Sequence, residues 1–177
     1  MTTRTASFHL AALLLLLLLC AGSFRFFHSS YAVPTLVRRL DSDQAETRRH
    51  AAASLAGLGR RAKPAVQALL RLAQPNRSLD DRTAAVGALV EVSPASAHAL
   101  IPLYTALLRH SSPRARYEAA MVLAELGPLG KDALPPLLVA VRDSDDLVRR
   151  WAVTAIGRIG GGAPDTARTL VSALDDR

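Results

Sequence analysis

The sequence predicts an all-α protein, a right-handed α-solenoid of about four and a half helical hairpins preceded by an N-terminal hydrophobic leader helix. Three observations carry this reading. The phrase RRHAAASLAGLG at residues 48–59 returns as RRWAVTAIGRIG at 149–160. Within each copy the apolar residues fall at i, i+4 and i+7 or i+8, which is one face of a helix. Upstream of each copy lies a second apolar segment, so the unit is two helices long and must share its apolar faces with a neighbour.

The first element is the leader. Residues 10–19 read LAALLLLLLL inside an uncharged run from Thr5 to Phe24, with Arg4 before it and Arg25 after it. A leader partitions into the membrane while its charged end stays cytoplasmic, so this is the layout of a secretory signal peptide. Small residues offer cleavage before Phe24 or before Val33. Left uncleaved, about 20 apolar residues could also span a bilayer as an anchor, and arginines on both sides leave its orientation open. The chain thus divides into residues 1–32, signal peptide or membrane anchor with a short linker, and residues 33–177, the repeat domain. Cys20, the only cysteine, follows Leu19 rather than the small residue that lipid attachment uses. It reads as an apolar leader residue, and no intramolecular disulfide can form.

The repeats come in order, at about 33–63, 64–97, 98–131 and 132–163, with a half repeat at 164–177. Their first helices are VPTLVRRL at 33, PAVQALLRL at 64, LIPLYTALL at 100 and ALPPLLVAV at 133. Pro34, Pro102 and Pro135 fall near helix starts, where a missing amide hydrogen costs nothing. In the second helices, Arg48, Ala51, Leu55, Leu58 and Gly59 correspond to Arg116, Ala119, Leu123, Leu126 and Gly127, and to Arg149, Ala152, Ile156, Ile159 and Gly160. The second copy offers Arg82, Ala85, Leu89 and Val92, with Ser93 in place of glycine. The spacings are 34, 34 and 33 residues. Alanine at the first apolar position permits close helix approach, and glycine past the last is the expected left-handed stop. Polar turns such as DSDQAET and RDSDDL join the helices. The first helix (Val33, Leu36, Val37, Leu40) and the last (Ala167, Leu170, Val171, Leu174) are apolar on one side, whereas Ala99 to Leu108 is apolar on several. One-sided ends are what a finite stack needs, which argues for Arg177 as a real end; an incomplete gene would equally stop in mid-repeat.

An acidic turn (Asp41, Asp43; Asp143, Asp145), an arginine opening the second helix (Arg48, Arg149) and then AxxxLxxLG resemble the HEAT repeat, especially the short variety first associated with phycobilin lyases. The resemblance covers roughly residues 33–174. Tetratricopeptide repeats share the period, but their tryptophan, glycine-tyrosine and phenylalanine positions are absent, as is the TPLH-like turn of ankyrin repeats. The resemblance implies a structural ladder in which Arg48, Arg82, Arg116 and Arg149 pair with turn aspartates, for which Asp43, Asp80, Asp143 and Asp145 are available. The third unit offers only Ser111, Ser112 and Pro113.

In such stacks the second helices line the concave side. The columns beside the ladder hold Arg49, Thr83, Tyr117 and Arg150, then His50, Ala84, Glu118 and Trp151, and one turn later Glu125 and Arg158. Arginine, tyrosine and tryptophan anchor interfaces because each presents a large, nearly rigid surface with a polar handle. The candidate protein-binding surface is therefore Arg49, His50, Tyr117, Glu118, Arg150, Trp151 and Arg158. For Trp151 the alternative is packing against the final helix.

No catalytic constellation, cofactor, metal site or small-molecule substrate is expected. His9, His28, His50, His98 and His110 show no metal-ligand spacing, and the His-Glu dipeptides of the HEAT-like di-iron hydroxylase are absent. Gly160 to Gly162 lack the following lysine of a phosphate loop, and Arg60, Arg61 and Lys63 form a short basic turn that reads as solvated. Of the 22 basic residues 20 are arginine; residues 33–82 carry ten basic and five acidic side chains, residues 83–177 ten of each. This gradient reads first as a mixed, solvated surface in which arginine replaces lysine, and as an anionic partner or membrane surface near the leader end in the alternative. The expected function is a bacterial scaffold, exported to the periplasm or beyond or anchored in the inner membrane, that binds another protein. The alternative is a lyase-type or accessory protein of tetrapyrrole (bilin) chemistry; a nucleic-acid partner is not expected of an exported protein.

Overall fold

The computed structural model describes residues 32–160, so the leader and the last predicted helix, with Ala167, Leu170, Val171 and Leu174, lie outside it. Among the described residues every regular element is helical. Helix α1 covers residues 32–40. It is followed by α2 (Ala45–Leu58), a 3-10 helix (Gly59–Ala65) running into α3 (Val66–Leu72), and α4 (Leu79–Val92). Next come α5 (Pro94–His98), α6 (Ile101–Leu107), α7 (Pro113–Glu125), a second 3-10 helix (Gly127–Ala133) running into α8 (Leu134–Ala140), and α9 (Asp146–Gly160).

The long helices α2, α4, α7 and α9 form one row. Helix α2 packs on α4, α4 on α7 and α7 on α9, while α3, α6 and α8 pack on α4, α7 and α9 from the other side. The four RxxAxxxL segments thus lie side by side, and each ladder arginine occupies the fourth position of its helix. Ala51, Ala85, Ala119 and Ala152 are buried between neighbours, followed one turn later by the fully buried Leu55, Leu89, Leu123 and Ile156. Burying a leucine or isoleucine in this way stabilises by about 2–3 kcal/mol, so this column is the chief apolar contribution of each interface.

Gly59 and Gly127 end α2 and α7 with φ of 53° and 52°, the left-handed stop anticipated from sequence. Beyond these stops the chain departs from expectation. It tightens into seven-residue 3-10 helices, and the first helices α3 and α8 begin only at Val66 and Leu134. At Ser93 there is no left-handed turn: its φ of −154° is extended, and Pro94 opens the additional short helix α5. Ser93 and Ser96 hydroxyls are 2.8 Å apart across that start. The third pair is therefore irregular, and α4 and α7 touch over a shorter stretch than α2 and α4 or α7 and α9.

Two glycine substitutions separate these effects. Gly127→Ala forces an L side chain into the left-handed region and is expected to cost about 1–2 kcal/mol. Gly57→Ala, inside α2 with no atom within 4 Å of the added carbon, is expected to stabilise by about 0.5–1 kcal/mol. Urea midpoints monitored by circular dichroism report both signs.

Candidate functional site

The arginine ladder is built from two kinds of contact. Arg48 donates through Nη1 to the carbonyls of Ser42 and Asp43, at 2.7 and 2.9 Å. Arg116 does the same to His110 and Ser111, and Arg149 to Asp143 and Ser144. Each clamp reaches the residues six and five positions upstream, which ties the turn to its own helix. The other edge of the guanidinium faces the next repeat: Arg48 is bidentate to Asp81 at 3.0 and 2.8 Å, and Arg116 to Asp143 at 2.7 Å on both oxygens. Arg149 takes Asp146 of its own helix at 3.3 Å.

Several partners differ from those anticipated. Asp43 contributes only its carbonyl; the carboxylate for Arg48 comes from Asp81, while Asp80 meets Arg49 at 3.4 Å. Asp145 accepts from the Val148 amide and so caps α9. The third unit, which has no turn aspartate, supplies two carbonyls instead. Arg82 makes no clamp. It is 4% exposed and donates to Glu118 at 2.5 Å, while Glu118 also accepts from the exposed Arg114 at 2.8 Å. Glu118, expected on the binding surface, lies inside the stack, where it takes Arg82. Beside this pair the Tyr104 hydroxyl donates to the Ala73 carbonyl, linking α6 to the end of α3. Arg82 Nε is buried without a partner among the described residues.

Local electrostatics follow from these contacts. Burial works against ionisation of Asp81, but hydrogen bonds from Arg48 and Ser78 outweigh it and hold the carboxyl below its ordinary range. Asp143 is lowered by the hydrogen bond from Arg116, against burial. Glu118 is lowered because the bonds from Arg114 and Arg82 overcome its burial. Burial pushes the Tyr104 phenol up to about 12.

The outward side of the row of second helices carries the remaining candidates. A shallow depression of about 380 Å³ is lined by Arg49, Asp80, Thr83, Ala84, Gly87 and Glu125. Its floor is small because α4 presents threonine, alanine and glycine there. Glu125 holds Arg158 in a two-pronged pair at 2.8 and 3.1 Å, so Arg158 bridges α7 and α9 at the rim. His50 and Arg150 are exposed, and Tyr117 and Trp151 are half-buried with their inner edges against the core. Asp80, Thr83, Ala84, Gly87 and Glu125 were absent from the sequence-derived binding set, although Thr83, Ala84 and Glu125 stood in the columns beside the ladder.

Among known proteins, the HEAT repeats match residues 101–177. A chain in the structure of the complex of CpcE and CpcF of phycocyanin lyase from Nostoc sp. PCC7120 is 20% identical, with a TM-score of 0.53 over 83% of this chain and 88% of that one. A designed armadillo repeat protein in complex with the peptide (KR)4 is 21% identical, with a TM-score of 0.46 over 80% of this chain and 70% of that one. No curated protein sequence matches.

Three outcomes test the ladder. Glu118→Ala leaves Arg82 buried without a carboxylate and is expected to cost about 3–5 kcal/mol, most of it recovered in Arg82→Met/Glu118→Leu; Glu125→Ala, at the surface, is expected to cost under about 1 kcal/mol by chemical denaturation. Because Asp81, Glu118 and Asp143 have lowered values when folded, their contribution is present above about pH 4 and lost as pH falls through those values. Melting temperature should therefore be level through mildly acidic pH and drop below about 4, less steeply in Asp81→Asn. In an ultraviolet titration Tyr104 should ionise only near pH 12. The HEAT repeats match residues 101–177, and the helical pairs before them build the same kind of two-helix unit, so the described residues form an all-helical repeat stack with HEAT-like units.

Proposed function

We propose that this chain is an exported or membrane-anchored scaffold that binds another protein across the outward side of its second helices. The observation that carries the reading is the open, small-residue depression over Thr83, Ala84 and Gly87, flanked by Arg49 and by the Glu125–Arg158 bridge. Half-buried Tyr117 and Trp151 with exposed Arg150 continue the same side of the row toward α9. Aromatic rings already held on one edge lose little conformational freedom when a partner covers the other. Export or anchoring rests on the apolar run Thr5–Phe24, which lies outside the described residues; no described helix is long and apolar enough to cross a membrane.

The fold shared with a chain of the phycocyanin lyase complex supports a second reading, an accessory role in bilin chemistry. An absorbance titration of the purified protein with bilins and haem separates the two readings, since a scaffold gives no spectral shift.

Gly87→Trp fills the depression, where no atom lies within 4 Å of an added carbon. Together with Tyr117→Ala it is expected to weaken association with the native partner at least about tenfold, as removal of a central anchor does. Val139→Ser, 72% exposed on α8, is expected to leave association unchanged. Quantitative co-purification from the native cell checks this, and equal recovery with all three variants would overturn the assignment. N-terminal sequencing of the mature protein, with a compartment-specific reporter fusion, tests the leader.

A further inference from the structure

The fold sorts the ten basic side chains of residues 33–82 into two groups. Arg48 and Arg82 enter the ladder, and Arg49 reaches Asp80. Arg77 lies in the turn before α4, close enough to Asp81 to help hold its charge. The other six are on the row of first helices: Arg38 and Arg39 on α1, Arg60, Arg61 and Lys63 on the first 3-10 helix, and Arg71 at the end of α3. All six are exposed, and none forms an ion pair with another described residue.

No acidic residue occurs in 32–40 or 59–72, so nothing on these elements offsets the six charges. The nearby acids Asp41, Asp43 and Glu46 belong to the turn before α2 and to its first helical turn. From Arg60 to Arg71 the chain rises roughly 20 Å, so neighbouring cations fall within about one to two Debye lengths and act as one positive surface. The corresponding segment before α8 carries Lys131 beside Asp132, and Asp132 is taken by His98 at 2.9 Å. The segment before α8 thus carries a paired acid where 59–72 carries none.

We propose that the exposed basic side of the first 3-10 helix and α3, joined by the arginines of α1, docks on the headgroups of an anionic lipid bilayer. Two further features favour a membrane over a nucleic acid. Segments 32–40 and 59–72 contain no Phe, Tyr or Trp, so the face offers no platform on which bases could stack. Eight residues, 25–32, separate Phe24 from Val33, a reach of at most about 30 Å, so a bilayer holding the run Thr5–Phe24 lies within contact distance of the cations. The docking deepens the membrane part of the function proposed above and does not depend on the second-helix surface. Lipid phosphate attracts each lysine or arginine held near it, and the attraction is screened by salt.

The test is co-sedimentation of the full chain with vesicles of phosphatidylcholine alone or with about 30% phosphatidylglycerol. The leader is common to wild type and variants, so their difference reads the basic face. Arg60→Gln/Arg61→Gln/Lys63→Gln/Arg71→Gln should lose at least about tenfold in association with the anionic vesicles and little with the neutral ones. Lysine at the three arginine positions should restore it, and about 0.5 M salt should abolish the wild-type preference. Retention of the preference in the glutamine variant overturns the proposal. So does stronger, equally variant-sensitive binding to duplex DNA at matched phosphate and salt, which would assign the face to nucleic acid. Gly87→Trp should leave vesicle binding unchanged while weakening the protein partner, so the two surfaces fail separately.

Discussion

Close approach of neighbouring second helices is the constraint on which the other features depend. Ala51, Ala85, Ala119 and Ala152 occupy the first buried position of successive helices, and a larger side chain there would push the row apart. With the helices this near, the leucine or isoleucine one turn later becomes fully buried. The ladder arginine, three residues before the alanine, is brought within reach of the next unit's carboxylate. The apolar column provides most of the gain, because burying two charges costs nearly what their attraction returns. The rungs add register. A bidentate guanidinium and carboxylate match in one alignment, and sliding the helices by a turn would strand both groups.

The same geometry accounts for the irregular centre. Arg82 has no clamp on its own turn, and its partner Glu118 comes from α7 instead of from a turn. Tyr104 closes the space by bonding to the Ala73 carbonyl. The insertion of α5 and the extended Ser93 interrupt the repeat there, and the shorter α4–α7 contact holds the most deeply buried guanidinium of the ladder.

Charge is partitioned by the stack as well. The rungs take up Asp81 and Asp143, while six basic residues of the first two hairpins form no ion pair with another described residue. The depression on the second helices is floored by threonine, alanine and glycine, with half-buried Tyr117 and Trp151 on the same row, while α1, the first 3-10 helix and α3 leave arginine and lysine exposed. The two rows therefore differ chemically.

Periodicity made the row of second helices, its buried alanine column and the glycine stops legible, because local spacing alone dictates which residues share a helical face. Gly59 and Gly127 were readable for the same reason, since only glycine adopts that backbone turn without strain. Partners across the stack were not readable. Glu118 occupies the same column as His50 and Trp151, yet it is buried and they are not, because its exposure depends on where the Arg82 guanidinium points. Whether Arg48 selects Asp80 or Asp81 depends on the rotation of α4, which no local pattern encodes. The sequence by itself thus determined the unit, its period and its apolar faces. Only the tertiary structure decided which charges are satisfied inside and which are left facing outward, because pairing requires two distant segments to meet at hydrogen-bond distance.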